Sequence, residues 1–329
     1  MFGYRKPLWS FKVLVVISLL LTCPIVLAET WRLDQAEDWK EVQPQGKDKY
    51  LLEVSRLKEL LNKAQPLAVR QAWEKLKEDF PEIAGPDLDA FIRAEMLFAE
   101  GEFIKAVRSY DKFLLKFPES KLYQAALDRE FTMAEAFLAG RKKSVLGILK
   151  FRGYAEGEKI MDKIADRAGN APIGIRASIA VAKNYEKRGK FEEAYQKWSE
   201  ISSRWPTGEI GRDALLAEAR CKYYAYQGPK YDVSDLISAK SYYEDFSSKY
   251  PQYAQEIDIA EKIENINELL AEKQFNIAQY YQKTSDFKAA EMCYQMVVAQ
   301  WPQSAAAKIA NKKLNEIELQ SEKEKNEEK

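Results

Sequence analysis

Reactive chemistry in this chain would have to start from three cysteines, Cys23, Cys221 and Cys293, because its 329 residues include no histidine. Histidine is the usual general base, nucleophile activator and metal ligand. The cysteines are too widely spaced for a CxxC zinc or redox motif. Cys221 and Cys293 fall in helical patterns and read as small buried hydrophobes. Whether they meet in a disulfide depends on a Cβ separation that spacing does not give. Carboxylates are abundant, but no pair is marked for acid–base work. No catalytic residue, cofactor or metal is therefore expected.

Charge limits the partners. The first 28 residues carry Arg5, Lys6 and Lys12 and no acid; without them 48 basic residues face 51 acidic ones. A near-neutral chain offers no basic field for nucleic acid, so none is expected as a partner. The same 28 residues are laid out for export. A positive leader precedes the apolar run Val13–Leu21, Pro24 interrupts it, and Val26-Leu27-Ala28 gives a small-residue site before Glu29. The apolar stretch is shorter than the roughly 20 residues of a spanning helix. Cleavage after Ala28 is the first reading. Lipidation at Cys23, with membrane attachment through the amino terminus, is the second, although Thr22 stands where a smaller residue is usual. A retained anchor is the third.

The elements that would position a binding surface repeat along the chain. Ala94, Leu97, Gly101, Phe103, Ala106, Tyr110, Phe117 and Pro118 share their offsets with Ala182, Tyr185, Gly189, Phe191, Ala194, Trp198, Trp205 and Pro206. Ala278, Tyr281, Ser285, Phe287, Ala290, Tyr294, Trp301 and Pro302 repeat them again. Partial copies end at Pro81, Pro172 and Pro251. On a helix, offsets of 0, 3, 7 and 14 fall within roughly 60°, so Phe103, Ala106, Tyr110 and Phe117 share a face. The aromatics fill a core, and the Ala lets a partner helix approach. The Gly takes the positive φ that ends the first helix. The Pro stops the second. One helix pair cannot bury its own apolar faces, so pairs must stack. The pattern predicts an all-α, tetratricopeptide-like α-α superhelix, a solenoid of about five to six helix pairs.

These residues are the tetratricopeptide signature, and the interval from Pro172 to Pro206 is 34 residues, the period of that family. The endings Phe117-Pro118-Glu119-Ser120 and Trp301-Pro302-Gln303-Ser304, with long irregular repeats and an export signal, resemble the BamD (YfiO) family of outer-membrane assembly lipoproteins. The resemblance covers most of residues 50–310. The resemblance implies a periplasmic, non-enzymatic scaffold, attached to the outer membrane if Cys23 is lipidated, that recognises barrel precursors and partner subunits along its concave surface. A periplasmic adaptor of cell-wall synthesis or division is the rival reading. An enzyme is disfavoured, because the repeats leave no room for a catalytic domain.

The expected organisation is a signal peptide over 1–28, a mobile arm over 29–50, the solenoid over 51–310, and a charged helical or disordered tail over 311–329. First helices line the concave surface of such arrays, which makes Asn184, Tyr185, Gln279 and Tyr280 candidate partner contacts. Trp31 and Trp39 on the arm are further candidates, as partner anchors or as residues folded back on the first repeat. Residues 252–283 read as one long first helix. The insertion from Gly140 to Tyr154 joins a basic cluster to Val145, Leu146, Ile148, Leu149 and Phe151. It either packs back on the solenoid or meets a membrane surface or a partner.

Overall fold

The computed structural model describes residues 31–33, 39–41, 46–63, 65–81, 85–145 and 149–327. Cys23 and the leader expected over residues 1–28 lie outside the described residues. The chain divides into two compact units, one ending at Ala106 and the other beginning at Val107.

In the first unit, β1 (Trp31–Leu33) pairs antiparallel with β2 (Trp39–Glu41), Leu33 opposite Trp39. Helix α1 (Gly46–Asn62) follows. The expected mobile arm over 29–50 thus holds a strand pair and the first turn of a helix. The side chains of Trp31 and Trp39 lie outside the described residues. Helices α2 (Pro66–Asp79) and α3 (Pro86–Ala99) both start on proline, whose fixed φ and missing N–H suit the first helical turn. Their apolar stripes bury Val69, Trp73, Leu76 and Ile92 with Leu57 of α1. The Trp73 indole N–H donates to Asp89 at 3.0 Å, so this large side chain is buried without an orphaned donor.

The division falls within α4 (Phe103–Lys116). The second unit continues with α5 (Tyr123–Leu138), the strands β3 (Lys142–Val145) and β4 (Leu149–Arg152), α6 (Tyr154–Ala168), α7 (Pro172–Lys187) and α8 (Phe191–Arg204). Then come α9 (Gly208–Ala225), α10 (Ser234–Lys249), α11 (Pro251–Glu256), α12 (Ile259–Lys283), α13 (Phe287–Gln300) and α14 (Ala305–Glu327). Consecutive helices pack on each other from α5 to α10 and from α12 to α14. This is the stacked, all-α tetratricopeptide-like arrangement that the repeat predicts.

The repeat positions behave as helix geometry requires. Ala106, Ala194 and Ala290 are fully buried, as are Ala94, Ala182 and Ala278. Tyr110, Trp198 and Tyr294 fill the core beside them. Four of the aromatics that precede a proline end their helices in one conformation: φ is −138° at Phe80, −129° at Trp205, −133° at Tyr250 and −132° at Trp301. A following proline disfavours the α region for the residue before it, so the helix stops while the aromatic ring still covers the core.

The turn inside each pair needs a left-handed residue. Gly101 and Gly189 supply it at φ 75° and 71°, but the third copy has Ser285 at φ 63°. A side chain there is strained by about 1–2 kcal/mol, partly offset by the chain entropy that glycine loses on folding. Ser285→Gly is expected to stabilise the unit by about 0.5–1 kcal/mol, and Gly189→Ala to destabilise it by about 1 kcal/mol. Thermal melts of the two variants should shift in opposite directions.

One further expectation needs correction. The single long helix over 252–283 is two helices, α11 and α12, broken at Asp258. That residue takes φ 51°, and its carboxylate accepts the Glu261 N–H at 3.2 Å, capping α12. The insertion after Gly140 forms the β3–β4 hairpin. Of the two forms expected for the tail, the described residues take the helical one: α14 runs through to Glu327, with Leu314 and buried Ile317 packed against α12 and α13. Among the described residues, no helix is long and apolar enough to cross a membrane.

Candidate partner-binding face

First helices α9, α12 and α14 build a cleft of about 690 Å³. Helix α12 supplies Asn265, Glu268, Leu269, Glu272, Phe275 and Asn276. That spacing of three and four residues is a single helical face. Tyr223 of α9 closes one side, and Ala305, Ala306 and Ile309 of α14 the other. The small alanines keep the α14 wall low, so the cleft stays open between two first helices.

The cleft wall is fixed by a cap built from two distant segments. The Glu268 carboxylate accepts the Ala305 N–H with both oxygens at 3.1 Å, at the amino end of α14 where unpaired N–H groups favour an anion. Ser304 of the aromatic-Pro-x-Ser ending is buried. Its hydroxyl donates to the Trp301 carbonyl at 2.8 Å and accepts the Ala307 N–H at 3.0 Å. The motif serine is therefore a helix cap. In the earlier copy Ser120 accepts the Leu122 N–H at 3.2 Å, bracing the turn that leads into α5 without capping it. Beside the cleft, the Tyr226 hydroxyl is buried without a hydrogen-bond partner among the described residues. Burial, and secondarily the Glu272 charge, raises its pKa.

The sequence-derived candidates separate. Asn184 is buried; its amide donates to the Leu138 carbonyl at 2.7 Å. It ties α7 to α5 and presents nothing to a partner. Tyr185 is half-buried and donates to Glu158 at 3.0 Å. Burial and then that carboxylate push its pKa up to about 12. Glu158 also receives Arg188 at 2.6 Å, so Tyr185 belongs to a bracing network between α6 and α7. Gln279 and Tyr280 stand near the end of α12, Gln279 one turn beyond Asn276 of the cleft. Tyr280 is 63% exposed. The sequence reading missed Asn265, Asn276 and Glu272. The signal available for them was polar residues recurring every three or four positions on a first helix.

The two described cysteines stand outside the cleft lining. Cys221 and Cys293 are free thiols, not a disulfide. Burial pushes the Cys221 thiol up to about 12, which keeps it protonated and inert. Among the described residues, no group of three or more His, Cys, Asp or Glu residues could hold a metal ion.

The model of a family described as YfiO, outer membrane lipoprotein, matches residues 219–329, a stretch that contains the whole cleft. No curated protein matches the sequence. Solved structures aligned to it include PilW, a widely conserved type IV pilus biogenesis factor. It is 17% identical over 80% of this chain and 99% of that chain, with a TM-score of 0.28. A tetratricopeptide repeat protein from Parabacteroides merdae is 13% identical over 82% and 98%, with a TM-score of 0.30. The apo form of RapI is 10% identical over 77% and 97%, at 0.33.

Proposed function

We propose, starting from a tetratricopeptide-type chain whose last third resembles the YfiO outer membrane lipoproteins, that this protein is a non-enzymatic envelope scaffold. It holds polypeptide segments in the cleft of α9, α12 and α14. The observation that carries the reading is the cleft itself, which lies within the family-matched stretch and presents groups that bind without reacting. Asn265 and Asn276 each offer an acceptor and two donors to an extended backbone. Leu269, Phe275 and Ile309 cover apolar side chains, and Glu272 favours a basic one. Gln279 and Tyr280 extend the track beyond the cleft, and Trp31 and Trp39 are further partner contacts. The clients are barrel precursors or partner subunits of outer-membrane assembly. The chain works in the periplasm, released after Ala28 or attached to the outer membrane through a lipidated Cys23.

The test is a photo-crosslinking residue at Gln279 of the full chain in its own cells, with and without Asn265→Ala/Asn276→Ala. Removing the two amides should lower capture about 25-fold, at about 1 kcal/mol for each hydrogen-bonding group. Capture of barrel-assembly subunits or precursors supports the assembly role. Wall-synthesis or division proteins in the product would replace it with the adaptor reading. Undiminished capture by the double variant would remove the cleft as the binding site.

A further inference from the structure

The β3–β4 hairpin interrupts an otherwise helical unit. Its register sets Lys142 opposite Arg152, Lys143 opposite Phe151, Ser144 opposite Lys150 and Val145 opposite Leu149. Side chains alternate between the two faces of a strand pair. One face therefore collects the positions of Lys142, Arg152, Ser144 and Lys150, and the other those of Phe151, Lys143, Val145 and Leu149. The first thus holds the positions of three cations and a serine, the second those of three apolar residues and a single lysine. Between Ala136 and Ala155 the chain carries Arg141, Lys142, Lys143, Lys150 and Arg152 and no acid, in a protein whose formal net charge is zero. Lys142, Phe151 and Arg152 are exposed, Phe151 by 54%.

The base of this hairpin is pinned to the unit. The Gly153 N–H donates to the Arg141 carbonyl at 3.0 Å. Gly153 packs so tightly that an added Cβ would sit 2.5 Å from Phe137. Arg152 donates to the Tyr154 hydroxyl at 2.8 Å, and the same Tyr154 ring receives Arg188 at 4.2 Å from its centroid. The base of the strand pair is thus tied to the unit, and along β4 cations alternate with apolar residues.

We propose that this hairpin docks the protein on an anionic lipid bilayer. An acidic protein segment would account for the basic face alone. A bilayer surface accounts for both faces at once. Anionic headgroups meet the Lys and Arg residues, whose apolar stems lie along the interface while their charges stay in water. Val145, Leu149 and Phe151 enter the headgroup boundary, where aromatic residues are favoured. The inference does not depend on the cleft binding a client; it requires only that the chain meets a bilayer.

The experiment is vesicle flotation of the full chain with phosphatidylglycerol-containing vesicles and with phosphatidylcholine-only vesicles. It is paired with hydrogen exchange over residues 142–152. An amino-terminal lipid, or a leader carrying Arg5, Lys6 and Lys12, contributes equally in parent and variant, so the change in the anionic-to-neutral ratio on substitution isolates the hairpin. The ratio should fall on the order of 100-fold in Lys142→Gln/Lys143→Gln/Lys150→Gln, about fivefold for each charge. Raised salt should lower it as well. Phe151→Ser should weaken anionic binding with the charges intact. Exchange of residues 142–152 should slow only on the anionic vesicles. Circular dichroism of the variants should retain the parent helix signal, because the substituted positions belong to the hairpin alone. A ratio unchanged by the triple substitution, or no protection of 142–152, would overturn the proposal.

Discussion

Trp198→Ala should cost the second unit about 4 kcal/mol, the largest loss expected from any single truncation. Trp198 is 3% exposed and packs with Ala182, Ala194, Ile201, Ala214, Ala217 and Cys221, so α7, α8 and α9 all close around it. The small residues that let these helices approach cannot grow to fill the hole. The indole N–H also donates to Glu186 at 2.5 Å, and Arg220 grips the same carboxylate with two bonds of 2.8 Å. Trp198→Phe keeps most of the ring and loses the donor, and should cost about 1–2 kcal/mol. Urea denaturation followed by circular dichroism gives both values. Because stacked repeats are stabilised by their nearest neighbours, hydrogen exchange should rise first in α7, α8 and α9. A loss below about 1 kcal/mol for the alanine variant would mean that this interface does not hold the array together.

Glu130→Gln should remove a loss of stability at alkaline pH. Glu130 is fully buried at the meeting of α4, α5 and α6, and Arg167 donates to one of its oxygens at 3.0 Å. The other oxygen has no partner among the described residues. Arg167 is more closely engaged by Asp111 at 2.6 Å, which also takes Lys163 at 2.7 Å. Burial, and next the Asp111 charge, pushes Glu130 up to about 8. The folded protein therefore holds this proton more tightly than the unfolded chain does. The resulting stabilisation is complete below the ordinary value of 4.5 and is lost as pH rises through about 8, at roughly 1.4 kcal/mol per pH unit. Asp111 acts in the opposite sense. Burial raises it, but its bonds from Lys163 and Arg167 prevail and hold it low, so its contribution is present at neutral pH and lost on acidification. Glutamine keeps the shape of a protonated Glu130 and cannot ionise. The variant should match the parent near pH 5 and exceed it by about 3 kcal/mol or more near pH 8. Parallel stability curves for the two proteins would place the titration elsewhere.

Much of the architecture was legible because its causes are local. Helical periodicity brought the repeat aromatics and alanines to one face, and Ala106, Ala194 and Ala290 are buried accordingly. The residue-before-proline restriction stopped the helices at Phe80, Trp205, Tyr250 and Trp301. The binding face was less legible. Asn184 occupies a first helix as expected, yet its amide is spent on Leu138, 46 residues away. Asn265 and Asn276 carry the same type of side chain but line an open cleft. Residue type does not distinguish the two cases; the neighbouring helix does.

The amino-acid sequence alone determined which face of each repeat helix is apolar and where the repeat helices stop. Those properties depend on backbone sterics and on side chains within a turn or two. Tertiary structure decided which polar groups remain available. Glu268 became a cap for α14 through Ala305, 37 residues on, and Asp111 became part of a buried network through Arg167, 56 residues on. Such pairings exist only once stacking has removed water from between the helices, because desolvation and the geometry of approach, not local preference, then set which charge meets which partner.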